Sequence, residues 1–154
     1  MRLYILRHGE ADWPNWARPD DERPLTERGK KEMRKVAKFL QELDIPLEDV
    51  LSSPLPRARQ TADIVADRFK LHVREQKALA DGFNVSALKE LVQQYPVDNL
   101  MIVGHDPSFT EVIGELTGAN CKLSKGGLAL VDLDDQEMKG RLLWLFPPKI
   151  AKVL

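Results

Sequence analysis

Four basic side chains follow the ends of short apolar runs, directly or one helical turn further on: Arg7, His8, Arg57 and His105. Arginine offers planar, paired N–H donors that match the oxygens of a phosphoryl group. A neutral imidazole nitrogen can attack phosphorus and carry the phosphoryl group covalently. Brought together, the four side chains would repel one another unless an anion lay among them. Their types and spacing therefore favour chemistry on a phosphoryl group.

The elements that position these residues follow from the hydrophobic pattern. Short apolar runs bounded by glycine, proline or serine predict strands at residues 2–6, 49–52, 71–74, 99–103, 128–133 and 142–146. The turn at residues 134–140 predicts an antiparallel hairpin between the last two. Apolar residues at helical spacing predict four helices, which begin after Thr26, at Pro54, near Val85 and near Ser108.

Polar residues predict how these helices begin and end. Thr26 is the expected N-cap of the first helix. Ser108 and Glu111 form a capping-box pattern at the start of the fourth, and Gly118 is its expected stop. The helices that begin at Pro54 and near Ser108 would direct their positive N-terminal ends toward the same anion.

Alternation of strands and helices predicts an α/β fold of three layers, α/β/α, in which a mixed sheet carries helices on both faces. The 154 residues suit one domain, 1–154. In such folds ligands bind beyond the carboxyl ends of strands, at a switch in strand order. That is where the four basic side chains are expected to meet.

Composition excludes several classes of protein. The 23 Lys and Arg against 24 Asp and Glu argue against a nucleic-acid-binding protein. No apolar stretch approaches the roughly 20 residues of a membrane span. The N-terminal apolar run is shorter than the about 7–15 residues of a signal peptide, so we expect a cytoplasmic protein. The single Cys121 can form neither an intrachain disulfide nor a zinc site. The oligomeric state stays open.

Four segments resemble motifs of the histidine phosphatase superfamily, the phosphoglycerate mutase-like proteins: Leu6-Arg7-His8-Gly9-Glu10-Ala11, Pro24-Leu25-Thr26-Glu27-Arg28-Gly29, Ser53-Pro54-Leu55-Pro56-Arg57-Ala58-Arg59-Gln60-Thr61-Ala62 and Val103-Gly104-His105. Their order and their placement after strands are more specific than any one of them. The short chain is similar to the compact SixA-type phosphohistidine phosphatases. The resemblance also implies a phosphoglycerate mutase-like fold.

The resemblance implies a role for each matching residue. His8 is the expected nucleophile, which becomes phosphohistidine, and Arg7, Arg57 and His105 are expected to hold the phosphoryl oxygens. No metal and no cofactor is expected, because cationic side chains supply the electrostatic stabilisation. Many members have a glutamate as proton donor after the second helix, and Asp81 is the candidate in the comparable place.

Three functions remain open from the sequence. The first is hydrolysis of phosphohistidine on a phosphorylated protein, because an imidazole protonated on its ring leaves without a strong acid. The short segment between Leu71 and Asn99 also suggests a pocket with little roof, open to a protein side chain. The second is a phosphatase or mutase for small phosphate monoesters, with Asp81 as acid. The third is a module that recognises phosphate without turnover.

The proline-rich segment 11–24 is expected to be a loop. Its Trp13 and Trp16 either pack this loop against the domain or form a rim that grips a partner. Glu10 either contacts the site or caps the loop.

Overall fold

A six-stranded mixed sheet forms the centre of the protein in a computed structural model that describes residues 1–153. The strands are β1 (Arg2–Arg7), β2 (Asp49–Ser52), β3 (Val73–Glu75), β4 (Asn99–Gly104), β5 (Leu128–Asp134) and β6 (Lys139–Phe146). The helices are α1 (Glu27–Glu42), α2 (Pro56–Arg68), α3 (Val85–Gln94) and α4 (Ser108–Thr117). Short 3-10 turns lie at Asp20–Glu22, Lys77–Leu79 and Pro148–Val153.

The strand order is β3-β2-β4-β1-β5-β6. The first four strands along the chain run parallel to one another, whereas β5 is antiparallel to β1 and β6 is antiparallel to β5. The mixed sheet and its closing hairpin are therefore confirmed. Because β1 and β4 are parallel neighbours, the segments that follow them emerge side by side at one edge.

Alternate residues of β1 supply the two cores on either side of the sheet. Leu6 belongs to a cluster with Met33 of α1, and Ile5 belongs to a cluster with Leu88 of α3 and Phe109 of α4. The three-layer α/β/α arrangement is confirmed. A parallel strand that is covered on both faces consists of consecutive apolar residues. The hydrophobic pattern of the sequence therefore identified β1 and β4 as strands.

The predicted helix starts are correct for α1, α3 and α4 and wrong for α2, whereas the capping box predicted for α4 is wrong. The Thr26 hydroxyl accepts the N–H of Gly29 at 3.0 Å, as expected of an N-cap. No capping box forms at Ser108, which is the first residue of α4; instead, the Asp106 carboxylate accepts the N–H of Thr110 at 3.0 Å. α2 begins at Pro56 rather than Pro54.

Two strand boundaries also differ from the prediction. β3 begins at Val73 rather than Leu71, because the N–H of Leu71 is bound to the carbonyl of Ala66 at the end of α2. β6 begins at Lys139, so the hairpin turn is shorter than predicted. Its first residues are polar and pair with β5 through the backbone, which the hydrophobic pattern does not show. Within the described chain, no helix is both long enough and apolar enough to cross a membrane.

The first turn of α1 packs closely on the loop that follows β1, at Gly29. A Cβ atom built on Gly29 would lie 2.1 Å from the carbonyl oxygen of Glu10. We therefore expect Gly29→Ala to lower the free energy of unfolding by about 1–3 kcal/mol, as overpacking does, although alanine favours a helix by about 1 kcal/mol.

Gly114→Ala in α4 is the matched control, because the nearest atom to its added Cβ is the carbonyl oxygen of Ala119 at 3.4 Å. This variant should gain about 0.5–1 kcal/mol from helix propensity. Urea unfolding measures both changes. Stability changes of the same sign in the two variants would contradict the close contact at Gly29.

Candidate active site

The two histidines of the site meet because β1 and β4 end side by side. Arg7 is paired with Gly104 in the register of these strands, and the backbone N–H of His8 donates to the carbonyl of Gly104 at 3.0 Å. The ring centroids of His8 and His105 lie 5.3 Å apart, with their planes inclined by 54°. The motif segments that contain His8 and His105 are thus neighbours at one edge of the sheet.

The His8 ring is oriented by its own loop. Its Nδ1 lies 2.7 Å from the carbonyl oxygen of Gly9. A carbonyl can only accept, so Nδ1 carries the hydrogen and the lone pair is on Nε2. The N–H of Gly9 in turn donates to the Thr61 hydroxyl of α2 at 3.0 Å. The result is an imidazole with a fixed tautomer and a free nucleophilic nitrogen.

Burial keeps the His8 imidazole neutral. Desolvation is the largest cause that lowers its pKa to about 3, and the neighbouring charges of His105, Arg57 and Arg7 lower it further, against the hydrogen bond to Gly9. A neutral ring retains the lone pair that an attack on phosphorus requires.

His105 is neutral for similar reasons. Burial is the main cause that lowers its pKa to about 4, and the charge of Arg57 adds to it, while Asp21 and Asp20 act in the opposite direction. Its Nε2 lies 2.8 Å from the Ser53 hydroxyl at the end of β2. The motif segment that begins at Ser53 is therefore in contact with the one that ends at His105.

Arg7 and Arg57 are held in place by similar sets of contacts. Nη1 of Arg7 donates to the Leu123 carbonyl at 2.9 Å and lies 3.7 Å from Asp106. Nη1 of Arg57 donates to the Asp20 carbonyl at 3.0 Å, and its Nη2 lies 3.4 Å from the carboxylate of Asp20. Each guanidinium is thus anchored at one end by a main-chain carbonyl and an aspartate.

The opposite end of each guanidinium is free. The Nε atoms of Arg7 and Arg57 are buried and have no hydrogen-bond partner among the described residues. A buried donor without a partner is costly, and an ionised oxygen is its best acceptor. Two such donors beside two imidazoles can hold the oxygens of a phosphoryl group.

Asp81 is not bonded to these four basic residues in the described part of the chain. It lies exposed in the loop before α3 and makes no hydrogen bond or ion pair with the four basic residues in the part of the chain that is described. The loop itself is close to the site, because the carbonyl oxygen of Leu79 would lie 3.2 Å from a Cβ atom at Gly104. The role of Asp81 as proton donor stays a prediction.

Residues 11–24, which we call the strap, lie beside the site, because Asp20 in this segment contacts Arg57. The Trp13 and Trp16 indoles lie 6.2 Å apart and donate to the strap's own carbonyls, at Pro24 and Pro19. They therefore stiffen the loop, and Glu10 accepts the N–H of Asp12 at its start. The 3-10 turn of the strap brings Asp20 to Arg57.

Several contacts of the site were not identified from the sequence. Asp106 could have been found, because it follows His105 directly. Asp20 gave no signal, because the strap has no periodicity and lies 37 positions from Arg57. The carbonyl of Leu123 has no signature in a side-chain pattern. Among residues 1–153, no group of three or more His, Cys, Asp or Glu side chains is arranged to hold a metal ion.

The depressed pKa values of the two histidines predict how stability depends on pH. In the unfolded chain each imidazole has a pKa of about 6.5, so the unfolded state binds protons that the folded state takes up only near pH 4 and 3. The free energy of unfolding should therefore fall as the pH decreases from 6.5, by up to about 1.4 kcal/mol per pH unit for each histidine.

His8→Gln should reduce this slope in urea unfolding at pH 7, 6 and 5, because one of the two buried imidazoles is removed. His72→Gln, at an exposed histidine outside the site, is the control, and its profile should overlay that of the wild type. A slope in the His8 variant equal to the wild-type slope would refute the neutral, buried state of this ring.

Comparisons with known proteins agree with this geometry. A model of the histidine phosphatase superfamily (branch 1) matches residues 3–85, more than half of the chain. The phosphohistidine phosphatase SixA of Escherichia coli (strain K12) is 30% identical over 164 aligned positions, which cover 100% of both chains. An uncharacterised protein of Picosynechococcus sp. (strain ATCC 27264 / PCC 7002 / PR-6) is 36% identical over 138 positions, covering 83% of this chain and 82% of its own.

A solved structure of the protein histidine phosphatase SixA complexed with tungstate has the same fold. It superimposes with a TM-score of 0.84 and 28% identity, covering 96% of this chain and 97% of its own. The family model, the full-length SixA relative and the shared fold lead to one conclusion: the chain is a phosphatase that belongs to the histidine phosphatase superfamily and is of the SixA type.

Proposed function

We propose that this phosphatase removes phosphoryl groups from histidine side chains of phosphorylated proteins, through a phosphohistidine intermediate on His8. The observation that carries the proposal is the neutral His8 ring beside two buried arginine Nε donors that have no partner within the described chain. The full-length likeness to a phosphohistidine phosphatase supports it. So does the tungstate complex of the structural relative, because tungstate is also a tetrahedral oxyanion.

The first step transfers the phosphoryl group to the enzyme. Arg7, Arg57 and His105 hold its oxygens and stabilise the charge that develops in the transition state. Nε2 of His8 attacks phosphorus while the bond between phosphorus and the substrate nitrogen breaks, and the electron pair of that bond stays on the leaving imidazole. That imidazole departs as a neutral ring when its other nitrogen carries a proton.

The second step restores the enzyme. Water attacks the phosphorus of the phosphoenzyme, the bond to Nε2 breaks, and its electron pair returns to the His8 ring. Orthophosphate takes up the oxygen and is released, and one proton of the water passes to solvent. The hydrogen bond from Nδ1 to Gly9 keeps the same tautomer in both steps.

Whether the leaving group needs a proton from the enzyme indicates the class of substrate. An alkoxide leaving group needs a proton donor, whereas the imidazole of phosphohistidine can be protonated on its ring. The candidate donor, Asp81, is exposed and makes no hydrogen bond or ion pair with the four basic residues within residues 1–153. This favours phosphohistidine on a protein over small phosphate monoesters, which remain the alternative substrates.

Trapping the phosphoenzyme tests the proposal. During turnover of a phosphohistidine protein, a radiolabelled phosphoryl group should appear on the enzyme in an acid-labile, base-stable form. His8→Ala should abolish both labelling and turnover while the fold is retained. His105→Ala keeps the nucleophile but loses a group that holds the oxygens, so kcat should fall about 10²–10³-fold, as for an oxyanion donor.

Circular dichroism and urea unfolding of the two variants serve as the control for folding. Persistent turnover in His8→Ala would refute the covalent mechanism. Phosphate binding without any labelling or turnover in the wild type would instead support the third function, a module that only recognises phosphate.

Asp81→Asn separates the two substrate classes. With a phosphohistidine protein, kcat/KM should stay within about twofold of the wild type, because the leaving ring carries its own proton. With an alkyl phosphate monoester it should fall about 10²-fold, the lower range of general acid catalysis. An equal loss on both substrates would contradict the argument from the leaving group.

A further inference from the structure

The strap places the carboxylate of Asp20 beside Arg57, at the solvent side of the phosphoryl site. Its Oδ2 lies 3.4 Å from Nη2 of Arg57. The Asp20 side chain is 69% exposed, whereas the Arg57 side chain is 9% exposed. A negative charge at the solvent side therefore borders a buried cation whose Nε still lacks a partner among the described residues.

We propose that Asp20 selects the charge of the group that carries the phosphoryl group. It favours a neutral or cationic carrier, such as the protonated ring of phosphohistidine, and disfavours substrates with a second anionic group. The identity of the favoured substrate rests on the function proposed above. The effect of the charge on anion binding does not depend on it.

The carboxylate of Asp20 is not the main anchor of Arg57. The shorter contact is the one from Nη1 of Arg57 to the main-chain carbonyl of Asp20, at 3.0 Å. The carboxylate lies closer to Nε of Arg23, at 3.1 Å, than to Arg57. Neutralising the side chain would leave the carbonyl contact in place, so the loss would be mainly one of charge.

The neighbouring cations do not fully neutralise the carboxylates of the strap. Lys125 is paired with Asp12 of the strap, and Arg23 is shared between Asp12 and Asp20. The adjacent Asp21 adds a further carboxylate, and the charges of Asp21 and Asp20 both act on His105. The acidic side of the strap therefore faces the same groups that would hold the phosphoryl oxygens.

The negative charge of Asp20 favours cleavage of the bond between phosphorus and a histidine nitrogen. When the bond between phosphorus and a histidine nitrogen breaks, the electron pair remains on that nitrogen while the proton stays on the other ring nitrogen. A nearby carboxylate favours the protonated form of the bound ring, and thus its departure as neutral imidazole. It opposes a carrier with its own carboxylate or phosphate, and it opposes the retention of product orthophosphate.

Binding of orthophosphate to Asp20→Asn, measured by calorimetry, tests the sign of this effect without turnover. Asparagine has the same size and removes only the charge, so orthophosphate should bind about three- to tenfold tighter than to the wild type at low salt. The difference should shrink at 0.5 M salt, because an exposed charge is screened. Weaker binding would overturn the proposal and make Asp20 a positioning residue for Arg57.

Glu22→Gln is the matched control. Glu22 lies in the same 3-10 turn and contacts Arg18 through its carboxylate, so its variant loses the same charge away from Arg57. Its affinity for orthophosphate should stay within about twofold of the wild-type value. An equal gain in both variants would refute a specific role of Asp20.

A pair of substrates then tests selectivity. The ratio of kcat/KM for 4-carbamoylphenyl phosphate to that for 4-carboxyphenyl phosphate should fall about three- to tenfold in Asp20→Asn and stay constant in Glu22→Gln. An unchanged ratio in Asp20→Asn would refute the proposal. Failure of the covalent mechanism would appear separately, as absence of a phosphoenzyme on His8 in the wild type, while the orthophosphate result would still decide the role of Asp20.

Discussion

Two guanidinium groups, that of Arg57 buried and that of Arg7 mostly buried, lie at one edge of the sheet, and the rest of the site depends on their charge. Removing a cation from water costs several kcal/mol unless partners replace the lost solvent. Arg7 and Arg57 each receive such partners at one end, from a main-chain carbonyl and an aspartate. The Nε atom at the other end has none within the described chain. The phosphoryl group of the proposed function would complete the set of partners, so its binding would recover what folding leaves uncompensated.

The same desolvation keeps His8, the proposed nucleophile, neutral. Burial lowers the pKa values of His8 and His105 far below the ordinary range, and the arginine charges add to it. The His8 ring is thereby neutral, and its hydrogen bond to Gly9 leaves the lone pair on Nε2, as the proposed attack on phosphorus requires. The uncompensated charge and the neutral imidazole both result from one buried environment. This environment lowers the stability of the folded protein and favours the chemistry of the site.

Close packing under each histidine fixes the geometry. Added Cβ atoms at Gly9 and Gly104 would lie 2.7 Å from Met33 and 2.8 Å from Phe109. The first of these side chains belongs to α1 on one face of the sheet, and the second to α4 on the other. Each core layer thus supports one of the two backbone positions next to an imidazole.

The sequence predicted the parts of the site that lie on strands and missed those that rest on tertiary contacts. Arg7, His8 and His105 were placed together because the apolar runs of β1 and β4 mark buried strands with an unambiguous direction. The strap has no periodicity, so the contact of Asp20 with Arg57 was out of reach. The capping box at Ser108 had the right pattern, but Asp106 took the role, because a local motif cannot show which of two nearby acceptors the loop presents.

The elements found from the hydrophobic pattern and the loops that lack one correspond to two parts of the proposed site. In the proposed function, the sheet edge with Arg7, His8 and His105 binds the phosphoryl group, which is the same in every substrate of a phosphatase. The group that carries the phosphoryl group must lie on the solvent side, where the strap contacts Arg57 and the segment before α3 lies close to Gly104. Both are loops without a hydrophobic pattern, and loops accept changes of sequence that a buried strand cannot. Selectivity for the carrier is therefore carried by residues such as Asp20, whose charge acts on the site without any part in the bonds that form and break.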